Sequence, residues 1–333
     1  MTYQLHHGDC LEVMASMADN SVDAVVTDPP YFKVKSEWWD RQWDKPAEFL
    51  AWLDRVAEHW ERLLKPNGSL YCFASPKMAA RVEMKLGERF NVLNNIRWYK
   101  SNGNRNWSAE KEKVRSYLPN TESIIFCEHY GADNLAKGEA GYEAKCDELR
   151  GFVFEPLRAY LDGERRRAGA GHRFIIEKVL GLTGHDSHYF SSVQWKLPTL
   201  EHYTKLQQAF PGYFTREYED LRRPFSVSAD VPYTDVWAFP TVQHYPGKHL
   251  CEKPAALLEH IINASTRPGA IILDCFAGSG STLLAAKNLG RFPIGIEIDD
   301  YWVQVAKARL EGPSPPQPAS KPQPAQTGQL SLF

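Results

Sequence analysis

The sequence predicts an α/β fold in which one parallel sheet is completed by the two ends of the chain. Residues 22–27 and 270–274 are short apolar runs of the kind that form buried parallel strands. A distinctive loop follows each run: Asp-Pro-Pro-Tyr at 28–31 and Phe-Ala-Gly-Ser-Gly at 276–280. In a doubly wound sheet two such strands can be neighbours at the switch point, where ligand crevices form.

The composition predicts a soluble globular protein of the cytoplasm. The chain has 333 residues, 43% of them hydrophobic and 24% charged, and its net charge is −2. The sequence has neither a leader pattern at its N-terminus nor an apolar run of membrane-spanning length, so we expect no membrane association. Because the chain has no cationic excess, any contact with nucleic acid requires a local basic patch.

The cysteines and histidines predict neither a disulfide framework nor a metal centre. The six cysteines include no Cys-x-x-Cys pair. His185 and His188 lie three residues apart, but the sequence places no third ligand near them.

Strands and helices alternate at both ends of the chain, and this alternation is lost between about residues 128 and 233. We expect an inserted, mainly helical segment there. Predicted strands span 3–7, 22–27, 69–73, 94–99, 122–126, 271–274 and 292–298, and predicted helices span 11–17, 46–64, 254–264, 281–289 and 301–310. The predicted divisions are 1–128 and 245–311 for the two halves of the α/β domain, 129–244 for the insertion, and 312–333 for a disordered tail.

The glycine-rich loop at 276–280 has the character of a cofactor site. Its glycines allow close approach of the backbone to a ligand, and Glu297 ends the next strand, near the spacing at which an acidic residue takes ribose hydroxyls. A dinucleotide fingerprint needs a third glycine three residues after Gly280, where Leu283 stands. A nucleoside without phosphates, such as S-adenosylmethionine, therefore fits better than NAD. The alternative is a plain tight turn with a solvated Glu297.

Together the two loops resemble the signatures of the DNA amino-methyltransferases, which methylate adenine N6 or cytosine N4 with S-adenosylmethionine. Their order, with the Asp-Pro-Pro-Tyr tetrad first, is similar to the β class, in which the sheet is circularly permuted. Further similarities lie at 8–9, 64–68, 98–100 and 249–254. The resemblance implies a circularly permuted Rossmann-like methyltransferase sheet with an inserted target-recognition region, in a bacterial or phage restriction-modification or orphan setting. A homodimer is an expectation at the level of the family.

The resemblance also implies roles for residues. The Asp28 carboxylate and the Pro29 carbonyl accept the hydrogens of the target amine, and Tyr31 stacks on the base flipped from the duplex. The methyl group then transfers directly, with positioning supplying much of the rate. Asp9 lies near the cofactor adenine, and Lys253 and Pro254 lie in the outer wall of the cofactor pocket. The predicted catalytic residues are Asp28, Pro29, Pro30 and Tyr31, and the predicted cofactor-binding residues are Asp9, Asp28, Lys253, Pro254, Asp274, Phe276, Gly278, Gly280, Ser281, Thr282 and Glu297.

The sequence favours an adenine-N6 enzyme and leaves alternatives open. Aspartate rather than serine before Pro-Pro indicates adenine, whereas a cytosine-N4 enzyme could use the same scaffold. Methyltransferases of protein glutamine typically carry asparagine where Asp28 stands. A non-catalytic DNA-binding regulator would not need both loops. The tetrad could also be an ordinary turn that closes a strand.

The middle segment is locally basic and is predicted to read double-stranded DNA. Helix 174–180, a turn at 181–184 and a second helix at 185–195 would resemble a helix-turn-helix. Basic side chains would neutralise phosphates, and side chains of the second helix would reach bases. The predicted DNA-binding residues are Arg165, Arg166, Arg167, Arg173, His185, His188, Tyr189 and Gln194.

The chain ends in Gln-Leu-Ser-Leu-Phe after a proline-rich stretch. This pentapeptide resembles the motif by which bacterial polymerases and repair proteins bind the sliding clamp. Such motifs bind through apolar anchors in a pocket, and a tether raises their effective concentration. The alternative is a frayed terminus with accidental apolar residues. The predicted clamp-binding residues are Gln329, Leu330, Leu332 and Phe333.

Overall fold

A computed structural model describes residues 3–102, 115, 117, 119–129, 155–182, 188–191, 195, 197–218, 221, 225 and 234–312. Within these residues eight strands form a single sheet in the order β1-β8-β7-β2-β3-β5-β4-β6. The strands are β1 Gln4–His7, β2 Val22–Thr27, β3 Leu64–Ala74, β4 Asn91–Lys100, β5 Thr121–Glu128, β6 Val236–Phe239, β7 Ile271–Asp274 and β8 Phe292–Glu297.

The strands from the two ends of the chain are hydrogen-bonded neighbours. β2 is parallel to β7, with Ala24 opposite Ile272 and Val25 opposite Leu273. β7 is parallel to β8, and β8 is parallel to β1. The carboxyl ends of β2 and β7 therefore lie side by side, which confirms the predicted α/β sheet. The circular permutation remains a prediction.

The helices cover both faces of this sheet. One face packs against Met14, Leu53 and Leu86 from the first three helices, and the other packs against Leu258 and Ala285. Burying each large apolar side chain stabilises the fold by about 1.5–3 kcal/mol. The helices are α1 Cys10–Ala15, α2 Pro46–Leu63, α3 Ala79–Gly87, α4 Glu155–Arg167, α5 His172–Phe174 followed by a π-helical turn Ile175–Val179, α6 Leu200–Ala209, α7 Ala255–Ser265, α8 Ser281–Asn288 and α9 Asp300–Glu311.

The segment at 65–68, between the predicted helix 46–64 and the predicted strand 69–73, lies inside β3. The β2–β3 register changes from Val22 opposite Leu64 to Ala24 opposite Ser69, so the extra residues form an irregularity in the strand. A Cβ atom on Gly68 would lie 2.7 Å from Leu64 Cδ2 and 2.9 Å from the carbonyl oxygen of Lys65. Glycine is needed there because the chain folds closely on itself.

Two elements that form or cover the sheet, α3 and β6, are absent from the sequence prediction. α3 is short, and its buried residues Ala79, Val82 and Leu86 form only two turns of apolar pattern. β6 has four residues and pairs in parallel with β4 at the edge of the sheet. It lies within the range 129–244 assigned to the insertion, so at least these residues belong to the sheet; the domain division itself remains a prediction.

The described residues of the middle segment pack around a core of their own, which includes Leu161, Ile175, Tyr203 and Phe214. The predicted second helix at 185–195 is wrong where the structure describes it, because 188–190 form a turn and bend. Residues 183–187 and 192–194 lie outside the described residues, as does the whole tail from 313.

The described part of the chain contains no cluster of three or more His, Cys, Asp or Glu side chains arranged to hold a metal ion. It also contains no helix that is long and apolar enough to span a membrane.

Candidate functional site

The tetrad loop begins where β2 ends and is held by a buried carboxylate. Phe32 and Lys33 follow the tetrad with φ of 61° and 59°, a left-handed conformation that costs energy for residues with side chains. The fully buried Asp40 accepts hydrogen bonds from the backbone N–H of Tyr31 at 2.6 Å, of Val34 at 2.6 Å and of Lys35 at 2.5 Å. These bonds stabilise the strained turn and fix the position of Tyr31.

The glycine-rich loop joins β7 to α8 and is held from the next strand. Glu297 accepts a hydrogen bond from the N–H of Gly278 at 2.7 Å through Oε2, and from the N–H of Asp299 at 2.9 Å through Oε1. Gly278 has φ +50°, and a Cβ atom there would lie 3.2 Å from the His249 ring. Glycine therefore allows the loop backbone and the His249 ring to approach each other closely. Burial raises the pKa of Glu297, against the opposing effect of these N–H groups.

The two loops face one cavity of about 130 Å³. Of the described residues that were predicted to bind the cofactor, Pro254 and Gly280 are the two that do not line it: Pro254 precedes α7, and Gly280 precedes α8 against α9. The predicted residues that line the cavity are Asp9, Asp28, Pro29, Pro30, Tyr31, Lys253, Asp274, Phe276, Gly278, Ser281, Thr282 and Glu297.

A buried ionic cluster lies beneath the tetrad. The Nζ of Lys253 donates a hydrogen bond to Oδ2 of Asp28 and lies 3.7 Å from Oε2 of Glu122. Glu122 also accepts from the Tyr31 hydroxyl at 3.1 Å and from the Lys100 Nζ at 2.6 Å. The Lys253 side chain is 8% exposed. Its ammonium group therefore lies buried beside the Asp28 carboxylate, whereas the resemblance implies the outer wall of the cofactor pocket.

Burial and charge act in opposite directions in this cluster. Burial raises the pKa of Asp28, and the neighbouring Lys253 only partly offsets it. Burial acts to raise the pKa of Glu122, but Lys253 and Lys100 outweigh it and the pKa is lowered. Burial acts to lower the pKa of Lys253, but the carboxylates of Asp28 and Glu122 raise it well above its usual range. Lys253 is therefore charged whenever these carboxylates are ionised.

A second cavity, of about 280 Å³, adjoins the first. Tyr31 and Lys253 line both, while Trp98 and Glu122 line only the second. Its walls combine an aromatic ring, charged groups and the tetrad tyrosine, which suits a planar polar ligand.

Residues 22–308 match the family described as DNA methylase, the N6/N4 methyltransferases. The chain belongs to this family. It is accordingly a DNA amino-methyltransferase that uses S-adenosylmethionine, and its sheet has the Rossmann-like fold of these enzymes.

Two relatives with methyltransferase names align with nearly the whole chain. Type II methyltransferase M2.DpnII of Streptococcus pneumoniae is 26% identical over 324 residues, covering 92% of this chain and 89% of that protein. DNA adenine methyltransferase YhdJ of Escherichia coli K12 is 26% identical over 314 residues, covering 92% and 81%.

Two solved structures share the fold. The S-adenosylmethionine complex of M1.HpyAVI has a TM-score of 0.53 and 23% identity, covering 93% of this chain and 100% of that one. The cytosine-N4-specific PvuII DNA methyltransferase has a TM-score of 0.54 and 15% identity, covering 94% and 88%. The cytosine-N4 target is therefore represented among proteins of this fold.

The basic run of this DNA methylase is paired with carboxylates of its own helix. Arg165 and Arg166 both contact the buried Asp162, at 2.7 and 2.8 Å, and Arg167 contacts Glu164. Arg166 and Arg167 are nevertheless 72% and 66% exposed, so their guanidinium groups can still reach a phosphate.

The remaining predicted DNA contacts are dispersed. Arg173 is exposed and pairs with Glu177 at 2.7 Å. Tyr189 is 3% exposed and shares a hydrogen bond with His202, so it is a core residue in this structure and not an exposed base-reading side chain. His188 is half-buried in the turn, and His185 and Gln194 lie outside the described residues.

Sequence reasoning gave no role to three side chains at the site: Glu122, Asp40 and His249, although His249 lies in the segment 249–254 that carries the resemblance. A charged residue near the start of the apolar β5 was a usable signal for Glu122. The sequence carried no signal for Asp40, because this residue binds backbone N–H groups of a loop that has no recognisable sequence pattern. His249 packs edge-on against Trp302, with ring centroids 4.4 Å apart, and burial together with the nearby Lys253 lowers its pKa to about 4. Its ring is therefore neutral at physiological pH.

Proposed function

We propose that this chain is a site-specific DNA methyltransferase that transfers the methyl group of S-adenosylmethionine to N6 of adenine in double-stranded DNA. The observation that carries the proposal is the position of Asp28. Its carboxylate faces the cofactor cavity, and the lysine bonded to it also lines the second cavity. A base flipped into the second cavity would meet a methyl donor at the tetrad.

The first cavity suits a nucleoside cofactor. Glu297 retains acceptor capacity beside its two N–H bonds and is placed for ribose hydroxyls. Gly278 lines this cavity, and so does Asp9, the N-cap residue of α1, which is proposed to lie near the adenine. When bound, S-adenosylmethionine supplies an electrophilic methyl group on its sulfonium.

The tetrad supplies what an exocyclic amine lacks. The lone pair of such an amine is conjugated with its ring, so two acceptors on its hydrogens favour the geometry of attack. The Asp28 carboxylate and the Pro29 carbonyl take that role, and the Tyr31 ring stacks on the base. As the N–C bond forms and the S–C bond breaks, the amine loses one proton. The pKa of Asp28, raised by burial, suits that carboxylate to receive it.

Adenine is favoured over cytosine by the aspartate of the tetrad and by the relative YhdJ, an adenine methyltransferase. Cytosine N4 is the second candidate, because the PvuII enzyme shares the fold. Transfer from labelled S-adenosylmethionine to duplex DNA, followed by nucleoside analysis, separates the two. Label in N6-methyldeoxyadenosine is expected, and label in N4-methyldeoxycytidine would overturn the adenine assignment. If no methyl group is transferred to any DNA, the alternative function, a non-catalytic DNA-binding regulator, would be favoured.

The middle helical segment is proposed as the reader of the DNA sequence. Its support is the exposed guanidinium groups of Arg166, Arg167 and Arg173. Replacing all three with alanine should weaken DNA binding and reduce its dependence on salt, while cofactor affinity stays unchanged. Methylation-sensitive sequencing of a host that expresses the protein would identify the target site. An unchanged salt dependence would place the reader elsewhere.

The remaining partners are proposals from the sequence. The terminal Gln-Leu-Ser-Leu-Phe is proposed to bind a bacterial sliding clamp, and the chain to act in the bacterial cytoplasm, on the nucleoid, as a homodimer by similarity to its family. Sedimentation of the purified protein with and without clamp tests both assembly states.

A further inference from the structure

The two oxygens of the Asp28 carboxylate have different surroundings. Oδ2 accepts the hydrogen bond from Lys253. Oδ1 is buried and has no hydrogen-bond partner in the described structure. A buried acceptor without a partner is costly, and such an atom in a ligand cavity indicates a donor supplied by the ligand.

Lys253 is held in place from several directions. Its Nζ lies 3.7 Å from Oε2 of Glu122, and it lies over two rings, 5.3 Å from the centroid of Tyr31 and 4.9 Å from that of Phe73. Its backbone immediately precedes Pro254, the N-cap residue of α7. An ammonium group so enclosed by a carboxylate pair and aromatic rings has little freedom to leave Asp28.

We propose that Lys253 is the positioning residue of the transfer reaction, holding Oδ2 of Asp28 so that Oδ1 faces the target amine. Glu122 in turn holds Lys253 and, through the tyrosine hydroxyl, the Tyr31 ring. This inference rests on the proposed role of Asp28 as the amine acceptor, and adds a residue whose contribution acts through that carboxylate.

The charges around Asp28 make the proposal testable by pH. The charged group that favours its ionised form is Lys253, while burial and the Glu122 carboxylate oppose ionisation. The Tyr31 hydroxyl, although directed at Glu122, also favours the ionised form. The other titratable neighbours are Asp274, Cys72 and Cys251, whose charged forms would oppose that of Asp28. Removing the cation must therefore raise the pKa of Asp28 further.

The test compares Lys253→Met with the wild type by single-turnover methylation of duplex DNA across pH, with S-adenosylmethionine affinity measured by calorimetry. We expect the rate to fall roughly 100-fold, as for loss of one preorganised polar group. Because the carboxylate must be ionised, the acid limb should move to higher pH and the deficit should shrink as pH rises. Cofactor affinity should change little. Lys253→Arg should recover part of the rate and restore the acid limb toward its wild-type position.

Lys65→Met is the matched control, because Lys65 of β3 pairs at 2.8 Å with Asp23 of β2, the strand that leads into the tetrad, and neither residue lines a cavity. It should keep the wild-type rate and pH profile. A Lys253→Met enzyme with the wild-type rate, or with a deficit equal at every pH, would overturn the inference. So would a loss explained entirely by weaker cofactor binding.

If Lys253→Met does not fold, Lys253→Arg decides, because the inference fails if its rate is as low as that of Asp28→Ala. No transfer by the wild type would instead reject the proposed function.

Discussion

Gly280 is a position where the structure forbids a side chain, and Gly280→Ala measures that constraint. The residue lies at the end of the cofactor loop with φ +80°. A Cβ atom there would lie 2.9 Å from Cβ and 3.2 Å from Cα of Ala306, a fully buried residue of α9. Because the obstacle is packed helix, it cannot rotate away as the tip of a long side chain can.

The expected cost has two parts. A left-handed conformation costs an alanine about 1–2 kcal/mol. Crowding against a packed helix adds about 1–3 kcal/mol. The sum, about 2–5 kcal/mol, is a large share of the roughly 5–15 kcal/mol that stabilises an ordinary domain.

Gly269→Ala separates the two parts. Gly269 has nearly the same φ, +83°, but no atom lies within 4 Å of the position that its Cβ would take. Urea denaturation of both variants without cofactor should therefore show the larger loss for Gly280→Ala, by the crowding term of about 1–3 kcal/mol. Equal losses would refute the close approach of the loop to α9. Ala306→Gly, which removes the nearest atom, should rescue part of the Gly280→Ala loss.

Four further predictions concern the site and the tail. Asp28→Ala should abolish methyl transfer while calorimetric binding of S-adenosylmethionine persists, because the acceptor is lost and the cofactor pocket is kept. Tyr31→Phe should retain substantial activity and Tyr31→Ala little; equal activities would contradict stacking. Gly278→Val should remove cofactor binding, since even a Cβ atom at this position would lie 3.2 Å from His249 and the branched valine side chain needs more room. Wild-type affinity for the cofactor would show that this loop does not bind it. Deleting 329–333 should leave methylation of short duplexes unchanged and abolish co-elution with a sliding clamp, as should replacing Leu332 and Phe333 with alanine; binding that survives would reduce the tail to a plain terminus.

The sequence by itself determined the strands and loops whose signals are local. The apolar runs 22–27 and 271–274 predict their strands because β-branched composition and bounding turn residues are local signals. The two loops carry their chemistry in the residue types themselves. Their meeting at one cavity follows from the rule that ligands bind at the carboxyl ends of neighbouring parallel strands.

Only the tertiary structure decided which distant side chains meet. Lys253 and Asp28 are separated by 225 residues, and no sequence pattern pairs them. The edge position of β6 beside β4 is likewise set by strand pairing, which a four-residue run does not specify. Tyr189 is a residue type that can contact DNA, but in the structure its side chain is buried in the core. Burial, charge pairing and strand neighbours depend on contacts across the fold, and these exist only once the chain has closed on itself.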